Sequence, residues 1–90
     1  MLIGYKRVST QNQKLDRQTD LLNEYGVEKI FEEKVTGTKR ERVELDKMLE
    51  QLRQNDIVVV TDLTRLSRST KDLFEIVEII ESKGAGIKSL

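Results

Sequence analysis

Residues 57–60 read Ile-Val-Val-Val, the centre of the stretch DIVVVTDL. Successive strand residues point to opposite sides, so an uninterrupted apolar run leaves a strand no face for water. It reads as a parallel strand covered on both faces, and such strands are joined by crossover helices. The flanking segments supply the alternation. Residues 2–8 read as a first strand, and residues 11–25 as a helix with Leu15, Leu22 and Tyr25 on its apolar side and Gly26 as its stop. VEKIFEEKV gives a short second strand near 29–33. The polar TGTKRERVE then enters a helix whose Leu45, Met48, Leu49 and Leu52 form an i, i+3, i+4, i+7 stripe. Beyond the central run, Ser69 stands three residues before Asp72 as a capping-box variant. Leu73, Ile76, Val77 and Ile80 follow as a buried face, with Gly84 at the end. AGIKSL begins a fourth strand. This order predicts an α/β fold: a parallel, doubly wound sheet of about four strands with helices on both faces. Ligands of such sheets bind beyond the carboxyl ends of the strands. Chemistry is therefore expected at Arg7–Ser9, in the 34–42 loop and at 61–68.

The remaining composition narrows that chemistry. Ninety residues make one small domain, burying roughly 60–65% of its extended surface. Sixteen basic and sixteen acidic residues cancel, so an anion site has to be a local cluster rather than a global field. The absence of cysteine removes disulfides and a thiolate nucleophile, and the absence of histidine removes Ser-His-Asp catalysis and the common zinc sites. Carboxylates alone could still hold magnesium. Neither a P-loop nor a G-x-G-x-x-G motif occurs. Two Tyr and two Phe are too few for a base-stacking platform. With no bilayer-length apolar run and no signal-peptide pattern at the start, a cytoplasmic protein without membrane contact is expected.

Period-two geometry puts Tyr5, Arg7 and Ser9 on one side of the first strand, with Lys6 and Val8 on the other. Ser9 or Thr10 could do no more than cap the next helix. The middle loop carries Lys34, Lys39, Arg40 and Arg42 around Gly37. TDLTRLSRS carries Arg65 and Arg68, neighbours on one side of a helical turn. Each group taken alone reads as solvated charge, with Arg65 and Arg68 pairing to Asp62 or Asp72. Taken together they say more. A serine hydroxyl beside several arginines, with no histidine base, is unsuited to ester or peptide hydrolysis. It suits in-line attack on a phosphodiester, whose equatorial oxygens need clamping by positive charge.

Tyr-Lys-Arg-Val-Ser-Thr-x-x-Gln at 5–13, followed by Leu15-Asp16 and Gln18, resembles the serine recombinases, the resolvases and DNA invertases. TGTKRERVELD resembles their mobile loop and LTRLSRS their arginine signature; the likeness runs through essentially all 90 residues. The resemblance implies a resolvase-like, flavodoxin-like catalytic domain over 1–90 that is truncated at its C-terminal end, with no helix-turn-helix domain. It implies Ser9 as the nucleophile, forming a 5′-phosphoserine link to DNA and releasing a 3′-hydroxyl. Arg7, Arg65 and Arg68 fall on the phosphate-binding arginines, and Arg42 on the one supplied by the loop. Tyr5, Gln13, Gln18 and Asp56 match supporting positions. No metal or other cofactor is implied. The partners are DNA and, in a full-length protein, further copies of the chain as a dimer and a synaptic tetramer. One departure stands out: Thr64 occupies the place of the family's aspartate before the first signature arginine. It can hold Arg65 by a hydrogen bond but cannot act as an acid, so the donor to the leaving oxygen stays open between Asp62 and an arginine. A non-catalytic partner module and a generic phosphate-binding domain are the competing readings.

Overall fold

The Ile57–Val60 run is a strand in which Val58, Val59 and Val60 are fully buried. The structure, a computed structural model, describes residues 1–9, 17–35, 42–67 and 69–90. Its elements follow in the order β1 (Leu2–Ser9), α1 (Arg17–Tyr25), β2 (Lys29–Val35), α2 (Val43–Gln51), β3 (Ile57–Val60), a 3₁₀ turn (Leu63–Arg65), α3 (Thr70–Ser82) and β4 (Gly86–Ser89). The four strands pair in parallel in the order β2-β1-β3-β4. The expected doubly wound sheet is what forms.

That order fixes where the helices go. Val58 and Val60 join Ile3, Tyr5 and Phe31 beneath Leu45, Met48 and Leu49 of α2 and Ile76 and Ile80 of α3. The opposite face takes α1, whose Leu22 is wholly buried and lies against Gly4. A Cβ at Gly4 would come within 3.1 Å of Leu22 Cδ1 and 3.3 Å of Val27 Cγ2. The chain thus steps from β1 out to β2 on one face and returns past β1 to β3 and β4 on the other. Their divergence makes the carboxyl end of β1 the point where the strand order reverses, the usual ligand position in such sheets.

Both glycine stops operate as expected. Gly26 and Gly84 have φ of 96° and 76°, and the next amide reaches back from Val27 to Leu22 O and from Ala85 to Ile80 O, each at 3.2 Å. Other boundaries move. β1 continues to Ser9 and β2 to Val35, because Arg7↔Glu33, Val8↔Lys34 and Ser9↔Val35 extend the ladder that the sequence reading ended at 8 and 33. Tyr25, expected on the apolar side of α1, is exposed. The expected helix start at 11 and Leu15 lie outside the described residues. Among the described residues no helix is long and apolar enough to cross a membrane.

The contact at Gly4 sets how closely α1 approaches β1. Gly4→Val is expected to destabilise the fold by about 1–3 kcal/mol, the usual cost of overpacking, measured by urea unfolding. A midpoint equal to the parent's would mean that α1 is not seated on Gly4.

Candidate active site

Tyr5, Arg7 and Ser9 occupy alternate positions of β1, and their β2 neighbours in register are Phe31, Glu33 and Val35. β1 outruns β3 here, since their pairing covers only Leu2 to Gly4. A side chain takes over the missing strand's task at Arg7. Gln18 of α1 accepts from the Arg7 amide through Oε1 at 3.2 Å and donates from Nε2 to the Arg7 carbonyl at 3.1 Å. Gln18 thus fastens the backbone of β1 at Arg7.

The centre of the site is a residue the sequence reading passed over. Glu33 is buried, at 5% exposure. Its Oε1 accepts from the amides of Glu44 and Leu45 at 3.1 and 3.2 Å, the first turn of α2. Arg42, the N-cap residue of α2, makes no side-chain cap of its own, so β2 provides the cap that α2 lacks. The Glu33 carboxylate also bears on the buried Tyr5 hydroxyl. Burial, first, and then the Glu33 charge push the Tyr5 phenol well above its ordinary value, against the opposing pull of Arg7 and Arg42. A signal for Glu33 was present: after Phe31, the strand period turns it inward, ahead of a helix without a Ser, Thr, Asp or Asn cap.

The arginines arrive from separate elements. Arg42 Nη1 forms an ion pair with Asp72 in the first turn of α3. Arg65 ends the 3₁₀ turn, which packs against β1, and its Nε is buried with no hydrogen-bond partner among the described residues. Thr64 does not hold Arg65 as expected. Its amide donates to Asp62 Oδ1 at 2.7 Å, and its hydroxyl donates to the same oxygen. The Thr64 hydroxyl bond is the main reason the Asp62 carboxyl lies below its usual range, which makes Asp62 a poor acid. Gln13 and Arg68 lie outside the described residues.

Asp56 is a correction. It precedes β3 at the amino end of the sheet, where it accepts from the Arg53 amide at 2.9 Å and pairs with the Met1 amine at 3.3 Å. The Arg53 amide is the leading cause of its lowered pKa. β1 separates that end from Ser9 by roughly 23 Å at about 3.3 Å per residue. Asp56 fastens the turn before β3 to the start of the chain, away from Ser9. Among the described residues no group of three or more His, Cys, Asp or Glu is placed to hold a metal ion.

Comparison with known proteins places this arrangement in a class. The chain is similar to the N-terminal catalytic domain of TP901-1 integrase, at 27% identity and a TM-score of 0.78, covering 99% of this chain and 75% of that one. Residues 2–90 match the family described as Resolvase, N terminal domain, and the chain belongs to that family. It is 58% identical over 92 residues to a resolvase of Clostridium perfringens, covering 100% of this chain and 49% of the relative. It is 52% identical over 88 residues to the transposon Tn1546 resolvase of Enterococcus faecium, covering 98% and 46%. The chain spans about half the length of these relatives.

The raised Tyr5 pKa has a direction that can be checked. Near pH 10 a tyrosine in the unfolded chain ionises, while Tyr5 in the fold keeps its proton. The folded state then holds the additional proton, so its stability is intact below that pH and falls as pH rises beyond it. Urea unfolding at about pH 8 and about pH 11 is expected to show a smaller alkaline loss for Tyr5→Phe than for the parent. An equal loss in both would place Tyr5 in contact with water.

Proposed function

We propose that the chain is the catalytic domain of a site-specific DNA recombinase, with Ser9 as its nucleophile. Ser9 Oγ attacks a DNA phosphorus as the bond from phosphorus to O3′ breaks, leaving a 5′-phosphoserine and a free 3′-hydroxyl. The serine proton leaves Oγ and a proton is delivered to O3′. Asp62, kept ionised by Thr64, is unsuited to deliver it. Attack of the 3′-hydroxyl of another strand on the phosphoserine reverses these steps and rejoins the DNA, so no nucleotide energy is consumed. Arg7, Arg42, Arg65 and Arg68 stabilise the charge on the equatorial phosphate oxygens. The partner is double-stranded DNA, and strand exchange proceeds in a tetramer made of two dimers.

The observation that carries this reading is the buried, unpartnered Nε of Arg65. It belongs to a turn that packs on the strand ending in Ser9. A buried guanidinium nitrogen without an acceptor is expensive to keep in a fold. A phosphate oxygen is the acceptor it lacks.

Ser9→Ala, in a protein carrying the C-terminal portion that the relatives have, is expected to abolish covalent protein–DNA adducts on a suicide substrate. Non-covalent binding should persist, because the arginines remain. Adducts that survive the substitution would remove Ser9 from the reaction. Arg65→Lys keeps the charge but loses the planar fork. It is expected to slow single-turnover cleavage by an amount equivalent to about 2–4 kcal/mol, and a parental rate would reduce Arg65 to a surface charge.

A further inference from the structure

We propose that Asp72 is a positioning residue that holds Arg42 to the turn carrying Arg65, so that both arginines meet the scissile phosphate as one preset unit. This rests on the phosphodiester reading above. The Arg42 side chain is not needed where its backbone sits, because Glu33 caps α2 in its place. Its Nη1 instead crosses thirty residues of sequence to Asp72 Oδ2. Asp72 is fastened in turn. Its amide donates to Ser69 Oγ at 3.4 Å, the Ser69 amide donates to Ser67 Oγ at 3.1 Å, and the Ser67 amide reaches Leu63 O at 3.4 Å. Leu63 opens the 3₁₀ turn that Arg65 ends. A continuous set of hydrogen bonds therefore joins Arg42 on the loop side to the Arg65 turn, with Asp72 as the bridging carboxylate.

Two further observations make this a device for geometry rather than for stability. The side chains of the pair are 23% and 36% exposed, and ion pairs so open to water stabilise a fold little. The contact also engages one prong of the guanidinium. Nη2 and Nε of Arg42 have no partner among the described residues and are available to a phosphate, while the Arg42 charge already reaches Tyr5. Two forked cations from different elements otherwise have to be ordered at each encounter, and pre-ordering them removes that cost from the chemical step.

The test compares Asp72→Asn, Asp72→Glu, Arg42→Ala and the Asp72→Asn/Arg42→Ala double variant in the protein with its C-terminal portion present. Single-turnover cleavage of a suicide duplex is read beside DNA affinity by fluorescence anisotropy. Asp72→Asn is expected to slow cleavage about tenfold, the effect of misplacing a catalytic group. Affinity should change by less than about twofold, since the loss falls on the reacting state. Asp72→Glu should recover most of the rate, and Asp72→Asn should add nothing once Arg42 is alanine. Lys47→Gln, on the exposed side of α2, serves as the unaffected control. A parental or faster rate in Asp72→Asn would overturn the proposal, because the pair would then compete with DNA. An equal proportional loss in the Arg42→Ala background would overturn it too, because Asp72 would then act through α3 alone. Covalent adducts persisting in Ser9→Ala would indict the phosphodiester reading instead, independently of Asp72.

Discussion

A carboxylate removed from water has to be given donors, and where Glu33 finds them organises the end of the sheet that carries the site. Two come from the first turn of α2, the amides of Glu44 and Leu45. Bonds of this charge-assisted kind are worth about 1.5–3 kcal/mol each, and the positive end of the α2 dipole adds to them. One side chain of β2 thereby anchors α2 to the sheet, two register positions short of Ser9. Arg42 begins α2, so its location is set by the same carboxylate. Arg7 and Arg42 lie close enough to Tyr5 to oppose the negative charge of Glu33.

The zero net charge of the chain conceals how unevenly cations are used. Asp62 is the acid nearest to Arg65 in sequence, yet it turns to Thr64 and no ion pair joins it to Arg65 among the described residues. The Arg65 Nε therefore stays unsatisfied, a defect of on the order of 1–3 kcal/mol that a fold retains where a ligand supplies the acceptor. Thr64 takes the near hydrogen bonds of Asp62 and lowers its pKa, while the Arg65 charge acts on the same carboxylate from farther off.

Much of the fold could be read from residue pattern. The Val58–Val60 run, the glycines at 26 and 84 and the stripe from Leu45 to Leu52 each dictate local geometry through sterics or periodicity, and each reappears in the structure. The strand ends were not legible, because charged Lys34 and Val35 look like loop until their pairing with Val8 and Ser9 is seen. Within the site, Tyr5 and Arg7 could be placed by strand alternation, and Gln18 by its likeness to relatives. Glu33 could be turned inward by the same alternation, but its bonds to the α2 amides and the pairing of Asp72 with Arg42 could not be read, since each joins elements distant in sequence. Asp56 failed for the converse reason: matching a position says nothing about which end of a strand the position occupies.

The carboxamide of Gln18 has a consequence for how this domain opens. A β3 extending alongside Arg7 would have bound the end of β1 into the sheet, so that releasing it required breaking the most deeply buried part of the molecule. Gln18 instead makes that attachment through a side chain of a nine-residue helix seated on the opposite face from α2 and α3. Undocking α1 would release the second edge of the β1 terminus while β3, β4, α2 and α3 kept their packing. On that edge, the attachment of the strand end bearing Ser9 therefore depends on α1 staying docked.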